Sequence, residues 1–425
     1  MTTDFDIIIV GAGMVGSALA CALAPSGARI GLLERQLPPV FDPAQPPDLR
    51  VSAINFSSID LLSRLGAWPR VLNKRACAFR QLAVWEKLQQ PFGRGELTSR
   101  FNRTCFDAEQ VQQPQLGYII ENRIIQLALL EQLEQHANIQ LLTDSPLVQA
   151  DFSQQPPQLT LENGTLLTAP LVIGSDGANS RIRQWAQIGQ FADAYAQHAL
   201  LATVEIEPPQ QDITWQAFTP TGPLAFLPLS DVGGKSYASL VWYHQADQIP
   251  GLLALPDQEF LQAAQTTFPQ ELPTLKALVA RGSFPLVKRH ALSYVKPGVA
   301  LVGDSAHTIN PLAGQGVNLG FKDVACLARV LLEARQRGES WGSLEVLQRY
   351  ERERHTANQL MMNLMDLFYY GFSNSRGPLK LLRNLGLTAA SLAKPAQRPV
   401  IAYALGLRDS LPMPAFLRER IPNLI

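Results

Sequence analysis

Apolar residues near the start of the chain form two short runs on either side of an amphipathic stretch. Residues 5–10 (FDIIIV) and 29–34 (RIGLLE) are almost wholly apolar, which is typical of strands buried on both faces of a parallel sheet. Between them, residues 14–27 (MVGSALACALAPSG) have helical spacing and end at a glycine, a common helix stop signal. This order predicts a βαβ unit with short connections, the start of a Rossmann-like α/β domain.

The pattern changes farther along the chain. A helix is predicted at 123–136. Residues 180–295 then alternate aromatic and β-branched segments with Pro and Gly turns, which indicates a second, sheet-based domain. The βα pattern returns with an apolar strand at 299–303 and a helix at 315–335. We therefore expect the sheet domain to be inserted into the first domain, with a largely helical part after both.

The bulk composition fits an ordered protein of more than one domain. Of the 425 residues, 46% are hydrophobic and 17% charged, and the formal net charge is zero. The chain therefore lacks the basic footprint of a nucleic-acid-binding protein. Its four cysteines are scattered without a CxxC pair, so we expect reduced thiols and no metal site. The acidic N-terminus is unlike a signal peptide, and no apolar run reaches the ~18 residues of a spanning helix. We expect a cytoplasmic protein, soluble or peripheral to a membrane.

The loop after the first predicted strand has the sequence GAGMVG. Gly11, Gly13 and Gly16 have the GxGxxG spacing, in which glycines allow a tight turn, close approach of backbone to a pyrophosphate, and close helix–strand packing. Glu34 ends the next strand, where an acid accepts hydrogen bonds from a ribose. The pattern predicts dinucleotide binding at the helix N-terminus, without separating FAD from NAD. The neighbouring residues that we expect beside the ligand are Met14, Val15 and Arg35.

Two later motifs separate the cofactors. DGANSRIR (176–183) and GDSAHTINPLAGQGVN (303–318) each follow an apolar strand pattern. Together with the GxGxxG loop, and in this order, they resemble the group A flavin monooxygenases, the aromatic-ring hydroxylases that bind FAD. Four further stretches resemble the ubiquinone-biosynthesis hydroxylases, and among them the branch that hydroxylates a demethoxyubiquinol. These stretches are DLRVSAIN (48–55), GYIIENRIIQ (117–126), GPLAFLPL (222–229) and LFYYGFSN…LRNLGL (367–387).

The resemblance implies the group A flavoprotein hydroxylase fold. This is an α/β fold in which a Rossmann-like FAD-binding domain carries an inserted β-sheet substrate domain and a helical C-terminal region. The implied FAD-binding domain is discontinuous, at 1–75, 100–180 and 285–345. The implied substrate domain comprises 76–99 and 181–284, and the helical region comprises 346–425.

The resemblance also implies roles for single residues. Asp304 would bind the ribityl chain of FAD. Pro311 and Gly316 would position flavin and substrate through their backbone, where a helix N-terminus stabilises negative charge at the N1–C2=O edge of the flavin. We predict no acid–base pair. The other residues expected to contact FAD are Arg50, Asn122, Gln126, Asp176, Gly314, Gln315, Val317 and Asn318.

Local chemistry suggests further roles within the two later motifs. Ser180 can cap the helix that it opens, and Arg183 can pair with Asp176. Ser305 and His307 raise the alternative of a serine hydrolase. However, such enzymes have their nucleophile near the start of the domain, whereas Ser305 follows a complete dinucleotide-binding pattern. We therefore expect His307 to be a loop histidine that bonds to the backbone.

The implied reaction is hydroxylation of the ring of a polyprenylated benzoquinol or phenol. NAD(P)H would reduce FAD, and O2 would then give a flavin C4a-hydroperoxide that an electron-rich ring attacks. No second GxGxxG is present, so the nicotinamide would bind transiently in the flavin cleft. The alternatives are a different ring carbon in the same pathway, a small soluble aromatic substrate, or a non-catalytic FAD- or prenyl-binding escort protein. Prenyl length, the choice between NADH and NADPH, and a possible homo-oligomer stay open.

An apolar substrate also needs a cleft wall and a route into it. Trp215, Phe218 and Phe226 lie in predicted strands and are candidates for the wall beside the flavin. A prenyl tail has to come from a membrane surface or from other ubiquinone-biosynthesis proteins. Residues 378–394 form an amphipathic pattern, and positions 376–425 carry eight Lys/Arg against two Asp/Glu. This region is expected to dock on the inner membrane, on a partner or on its own domain.

Overall fold

The structure, a computed structural model, describes residues 3–86, 103–143, 145–219, 221–269, 271–310 and 316–372. The α-helices in these ranges are α1 (Met14–Leu23), α2 (Phe56–Arg64), α3 (Trp68–Lys74), α4 (Asn122–Leu133), α5 (Arg181–Trp185), α6 (Ile249–Ala254), α7 (Asp257–Thr267), α8 (Gly316–Gln336) and α9 (Leu344–Phe372). The strands are β1 (Ile7–Val10), β2 (Ile30–Leu33), β3 (Val51–Ile54), β4 (Cys77–Phe79), β5 (Gln81–Glu86), β6 (Arg103–Asp107), β7 (Gly117–Glu121), β8 (Ile139–Leu142), β9 (Leu147–Asp151), β10 (Gln158–Leu161), β11 (Leu166–Thr168), β12 (Leu171–Gly174), β13 (Gln190–Ile206), β14 (Ile213–Thr219), β15 (Gly222–Val232), β16 (Lys235–Gln245), β17 (Leu275–Ala291), β18 (Val295–Lys296), β19 (Val299–Leu301) and β20 (His307–Thr308).

A six-stranded sheet of order β18-β19-β12-β1-β2-β8 organises the first domain. Its strands pair in parallel except for β18 at one edge. Ile7, Ile8 and Ile9 in β1 have no exposed surface, because one continuous core joins the sheet to α1, α4 and α8. The wholly apolar run at the start of the chain is therefore a central parallel strand, as its pattern predicts.

The first helix is held on this domain by a close contact with α8. Val15 fits against two glycines, because a Cβ on Gly320 would lie 2.7 Å from the Val15 Cγ2 atom and one on Gly303 would lie 3.2 Å from Cγ1. Gly303 also has a positive φ of +60°, which favours glycine. The contact brings the N-terminal glycine loop and the turn at Gly303 to the same end of the sheet.

An eight-stranded sheet of order β20-β17-β13-β16-β15-β14-β5-β6 forms the second domain. It confirms the β-rich character predicted for 180–295. The structure corrects several details, since β6 and β20 belong to this sheet although the sequence pattern assigns them to the FAD-binding domain. Conversely, β4 pairs with β7 and β3 in a three-stranded sheet beside the first domain. The helices α6 and α7, which the pattern did not reveal, cover one face of the large sheet.

The two faces of the large sheet differ in exposure. Phe226 and Leu240 point towards α6 and α7 and are at most 1% exposed. Their neighbours Ala225, Leu227 and Val241 point to the opposite side and are only half-buried, although they lie in central strands. Leu227 on that side packs with the three-stranded sheet of the first domain. We call this side the cleft face.

The long helix α9 ends the described part of the chain. Its first half packs on α8, and its second half carries Met362, which contacts Ile309, and Tyr369, which joins a cluster on the cleft face. Both side chains are buried. The predicted amphipathic stretch 378–394 lies outside the described residues. In the part of the chain that is described, no helix has both the length and the apolar character needed to cross a bilayer.

Candidate flavin site

The glycine loop 11–16 connects β1 to α1 and has one open position. Gly11 has a φ of +103°, and a Cβ there would lie 2.6 Å from the Ser175 carbonyl oxygen. A Cβ on Gly16 would lie 1.9 Å from the Gly11 carbonyl oxygen, whereas one on Gly13 would meet no protein atom within 4 Å. Gly11 and Gly16 are therefore needed by the fold itself, while Gly13 leaves space above the helix N-terminus for a ligand.

Two polar side chains from other elements reach the same loop. The Glu34 carboxylate follows β2 and accepts hydrogen bonds from the backbone N–H groups of Ala12 at 2.8 Å and Arg35 at 2.8 Å. Gln126 on α4 donates from Nε2 to the Ala12 carbonyl oxygen at 2.8 Å. The structure thus places Glu34 and Gln126 beside the loop, as the sequence suggests, and leaves the Arg35 side chain exposed.

The second motif begins with a carboxylate that is only half satisfied. Asp176 Oδ2 accepts from the backbone N–H groups of Arg181 at 2.7 Å and Ile182 at 3.2 Å, at the start of α5. Its Oδ1 atom is buried and has no hydrogen-bond partner in the described part of the chain. A buried acceptor without a donor is uncommon in folded proteins, so this oxygen is a candidate contact for a bound group.

Arg183 and Asp176 make no direct ion pair among the described contacts, although the charge of Asp176 acts on Arg183. The Arg183 guanidinium donates to the Ser305 carbonyl oxygen at 3.0 Å. Ser180 does cap α5, since its hydroxyl accepts from the Arg183 N–H at 3.0 Å. Arg183 therefore ties the second motif to the third.

The third motif starts with a helical turn, Gly303–Ser305, that presents Asp304. Protein atoms crowd this carboxyl and raise its pKa by desolvation, while His307 and Arg50 lower it. Its side chain is nevertheless solvent-accessible, as expected for a carboxylate at the bottom of an open cleft. Arg50, an exposed residue just before β3, is therefore close enough to act on Asp304.

The hydroxyl of Ser305 has a structural role. It is 1% exposed and lies 2.5 Å and 2.7 Å from the carbonyl oxygens of Gly174 and Val302. It makes no hydrogen bond to His307 among the described contacts. The arrangement needed for a serine nucleophile is thus missing from this turn.

A buried carboxylate that the sequence analysis missed supports the turn from below. Asp323 on α8 is 0% exposed and accepts hydrogen bonds from four groups. The donors are Gly303 N at 3.1 Å, His307 Nε2 at 2.5 Å, Arg354 Nε at 2.8 Å and Asn358 Nδ2 at 3.0 Å. Burial alone would raise the pKa of Asp323, but His307 and Arg354 outweigh it and hold the pKa well below its usual range. The expected backbone partner of His307 is corrected to this carboxylate.

The remaining predicted FAD contacts occupy different surroundings. Asn318 is 1% exposed, and its amide bonds to Ser58 Oγ at 2.6 Å and to the Ala53 carbonyl at 2.8 Å. The side chain therefore joins α8 to β3 and α2, and the expected contact of Asn318 with FAD stays a prediction. Asn122 accepts from Ser52 Oγ at 2.7 Å. Gly316 and Val317 begin α8, and Met14 begins α1. Pro311, Gly314 and Gln315 lie outside the described residues.

The aromatic residues proposed for the substrate wall lie on different faces of the large sheet. Trp215 and Phe226 are paired across β14 and β15 and pack with the core under α6 and α7. They point away from the first domain, which corrects their expected role. Phe218 points to the opposite side and packs with Tyr243 and Tyr369 on the cleft face. Only Phe218 of the three is therefore placed to border a cleft.

Comparisons with known proteins agree with this geometry. A family model described as FAD binding domain matches residues 4–364. The chain is 44% identical to 3-demethoxyubiquinol 3-hydroxylase of Escherichia coli over 402 residues, which cover 95% of this chain and 98% of the relative. It is 34% identical to ubiquinone hydroxylase UbiL of Rhodospirillum rubrum, over 98% of this chain and 93% of the relative.

Solved structures give the same fold. The structure of p-nitrophenol 4-monooxygenase PnpA from Pseudomonas putida superposes with a TM-score of 0.74 at 17% identity, over 95% of this chain and 98% of that one. PqsL, a probable FAD-dependent monooxygenase from Pseudomonas aeruginosa, gives a TM-score of 0.72 at 20% identity, over 91% and 99%. The expected Rossmann-like architecture with a second sheet is therefore confirmed. The chain belongs to the FAD-binding-domain family of flavin monooxygenases and, within it, to the ubiquinone-biosynthesis hydroxylases.

Proposed function

We propose that the protein hydroxylates the ring of a polyprenylated benzoquinol in ubiquinone biosynthesis, with FAD as cofactor and with O2 and NAD(P)H as co-substrates. The proposed position is the one that a 3-demethoxyubiquinol 3-hydroxylase oxidises. The observation that carries the proposal is the meeting of three motif segments at one end of the parallel sheet, next to the half-buried apolar cleft face of the second sheet. The identity of 44% to the Escherichia coli hydroxylase supports the choice of ring position.

The residues of the site suit FAD. Gly13 leaves open space at the N-terminus of α1, where N–H groups favour a pyrophosphate. Glu34 can accept hydrogen bonds from the adenosine ribose, and Asp304 from the ribityl hydroxyls. The unpaired Oδ1 of Asp176 offers one more acceptor. Bound FAD takes up hydride and activates oxygen, and the protein contributes the orientation of both partners.

The cleft face suits an apolar ring and tail. Its floor is formed by four half-buried side chains, Leu201, Ala225, Leu227 and Val241. Each methylene that a ligand buries there contributes about 0.8 kcal/mol. Covering this floor also excludes water from the reacting ring, which strengthens electrostatic interactions inside the site.

The chemistry does not depend on an acid–base pair from the protein. Two titratable groups beneath the turn Gly303–Ser305, Asp323 and His307, are bonded to one another and buried. They fix the turn that holds Asp304. The proposed part of the protein is therefore to bind, to orient and to keep water out.

The proposed substrate has a tail that is insoluble in water. We expect the enzyme to work in the cytoplasm, either on the inner membrane surface or with other proteins of ubiquinone biosynthesis that present the quinol. A homo-oligomer would be compatible with either arrangement. Binding of the purified full chain to vesicles with and without anionic lipid measures the first possibility.

A gene deletion tests the proposal directly. The deletion strain should accumulate a demethoxyquinone, and the wild-type gene should restore ubiquinone. Accumulation of an earlier phenol would assign another ring carbon. With purified enzyme, a demethoxyubiquinol should accelerate NAD(P)H oxidation. A protein that binds FAD without this acceleration would be an escort protein.

A pair of variants tests the location of the substrate. Ala225→Phe fills the cleft face and should raise KM for the quinol about tenfold or more, with unchanged FAD content. The matched control is Ala192→Phe, at an exposed alanine in β13 of the same sheet, which should leave KM unchanged. Equal KM values for both variants would contradict the proposed cleft.

A further inference from the structure

A buried amide in the third motif, shortly after β20, is incompletely bonded. Asn310 follows β20 and is 2% exposed. Its Oδ1 atom accepts a hydrogen bond from the Tyr243 hydroxyl at 3.1 Å. Its Nδ2 atom is buried and has no hydrogen-bond partner among the described residues. A buried amide donor without a partner is uncommon in folded proteins, so this NH2 group is a candidate contact for a bound molecule.

The hydrogen bond with Tyr243 uses the oxygen end of the amide. This tyrosine is 1% exposed, burial raises the pKa of its hydroxyl, and the hydroxyl donates its proton to Asn310 Oδ1. Among the described residues, Asn310 Oδ1 is the acceptor of the Tyr243 hydroxyl. The amide oxygen is therefore occupied, and its NH2 group is presented as a donor.

The surroundings indicate what this donor meets. Tyr243 stands on the cleft face of β16, in one cluster with Phe218 and Phe284. Asn310 follows β20 at the edge of the same large sheet, in the third motif segment that also presents Asp304. The hydrogen bond between the two side chains thus connects this motif segment to the cleft face. A ligand that reaches the amide would meet apolar side chains of the cleft face and the N–H donor of Asn310.

We propose that the Asn310 amide donates a hydrogen bond to a ring oxygen of the substrate and thereby selects the carbon that faces the flavin. The inference rests on the proposed function. A prenyl tail offers no acceptor, whereas each hydroxyl or methoxy oxygen of a demethoxyubiquinol does. One fixed donor above an apolar floor holds a planar ring in one orientation. Tyr243 acts as a positioning residue for that donor.

The test compares variants and substrates in one cycle. The probe is a demethoxyubiquinol with a short prenyl chain, together with analogues that each have one ring oxygen replaced by hydrogen. The FAD-loaded full-length variants are Asn310→Leu and Tyr243→Phe. The control is Asn363→Leu, at an exposed asparagine of α9. The readouts are kcat/KM, FAD content, and the share of NAD(P)H that ends as hydrogen peroxide.

Asn310→Leu should lower kcat/KM for the parent quinol about tenfold with unchanged FAD content. On the analogue that lacks the bound oxygen, wild-type kcat/KM should also fall about tenfold, and Asn310→Leu should lower it by less than a further twofold. This analogue identifies the ring oxygen that the amide binds. Tyr243→Phe should keep binding FAD but release more hydrogen peroxide and give a mixture of ring products. Asn363→Leu should behave as wild type.

Three results would overturn the inference. If Asn310→Leu loses the same factor on every analogue, the amide recognises no ring oxygen. If it loses FAD, the amide serves the cofactor. If both the Asn310 and Tyr243 variants keep wild-type kcat/KM and product pattern, the pair has no part in the reaction. A wild-type enzyme that does not respond to the quinol at all would refute the proposed function and the inference together.

Discussion

Asp323 is the residue whose replacement should disturb the flavin site most without touching the cofactor. Asp323→Asn keeps the size of the side chain but removes its charge and turns one acceptor atom into a donor. Four donors now converge on this carboxylate. In the variant, the Arg354 guanidinium, which is 8% exposed, loses its counter-charge, and one N–H group faces the new NH2.

The magnitude follows from these contacts. Leaving a buried cation without its partner costs about 3–5 kcal/mol, and an unpaired buried donor adds about 1–3 kcal/mol. Part of this cost falls on the turn that carries Asp304, because the Gly303 N–H is one of the donors. If the disordered turn lowers the binding free energy of FAD by about 1.4–2.8 kcal/mol, the Kd for FAD rises about 10- to 100-fold.

Quenching of flavin fluorescence during titration of the apoprotein measures this Kd, and a thermal melt measures stability. The control is Glu353→Gln, which removes a carboxylate whose side chain is 54% exposed and is paired with Arg329 at the surface. Such a pair contributes about 0–1 kcal/mol, so this variant should bind FAD normally. The reasoning is refuted if Asp323→Asn binds FAD as tightly as wild type and melts at the same temperature.

Three further predictions use separate parts of the structure. Gly13→Ala should melt like the wild-type apoprotein but bind FAD at least tenfold more weakly, because its Cβ meets only the space for the ligand. Gly16→Ala should also lower the melting temperature of the apoprotein. Apoprotein melts and FAD titrations distinguish the two variants. Gly320→Ala should destabilise the protein by about 1–3 kcal/mol through overpacking, and adding Val15→Ala should recover part of this in urea unfolding, whereas independent losses would contradict the contact. Burial and two neighbouring histidines lower the pKa of His290 to about 4, below the ~6.5 of an unfolded histidine. The contribution of neutral His290 to the free energy of unfolding is therefore complete above pH ~6.5. It is lost as the pH falls towards 4, because the unfolded state takes up the proton first. His290→Phe should therefore flatten the fall in urea midpoint over this range, by up to about 2 kcal/mol after screening by solvent, and an unchanged pH slope would contradict this.

Local patterns in the sequence predict the parts of the site that are themselves local. The strand–glycine loop–helix at 7–23 and Glu34 follow from periodicity and spacing, since each glycine and the acid act within one βαβ unit. The cap by Ser180 is also a local contact. Asp323 was missed because its partners come from two other segments, 16 to 35 positions away in sequence. A signal does exist: Asp323 lies on the same helical stripe as Leu319 and Leu327, and a carboxylate on a buried stripe needs partners.

The substrate wall shows a different limit of sequence reasoning. Alternation along β15 divides its residues into two sets, and Phe226 belongs to one and Ala225 to the other. Both faces are apolar, because α6 and α7 cover one while the other borders the cleft, so composition alone gives no reason to prefer either. Large aromatic residues are natural candidates for a wall beside a substrate ring, yet Phe226 is large because it fills a closed core. A face that must admit a ring is better served by small side chains such as Ala225, whose partial exposure is the feature that identifies the cleft.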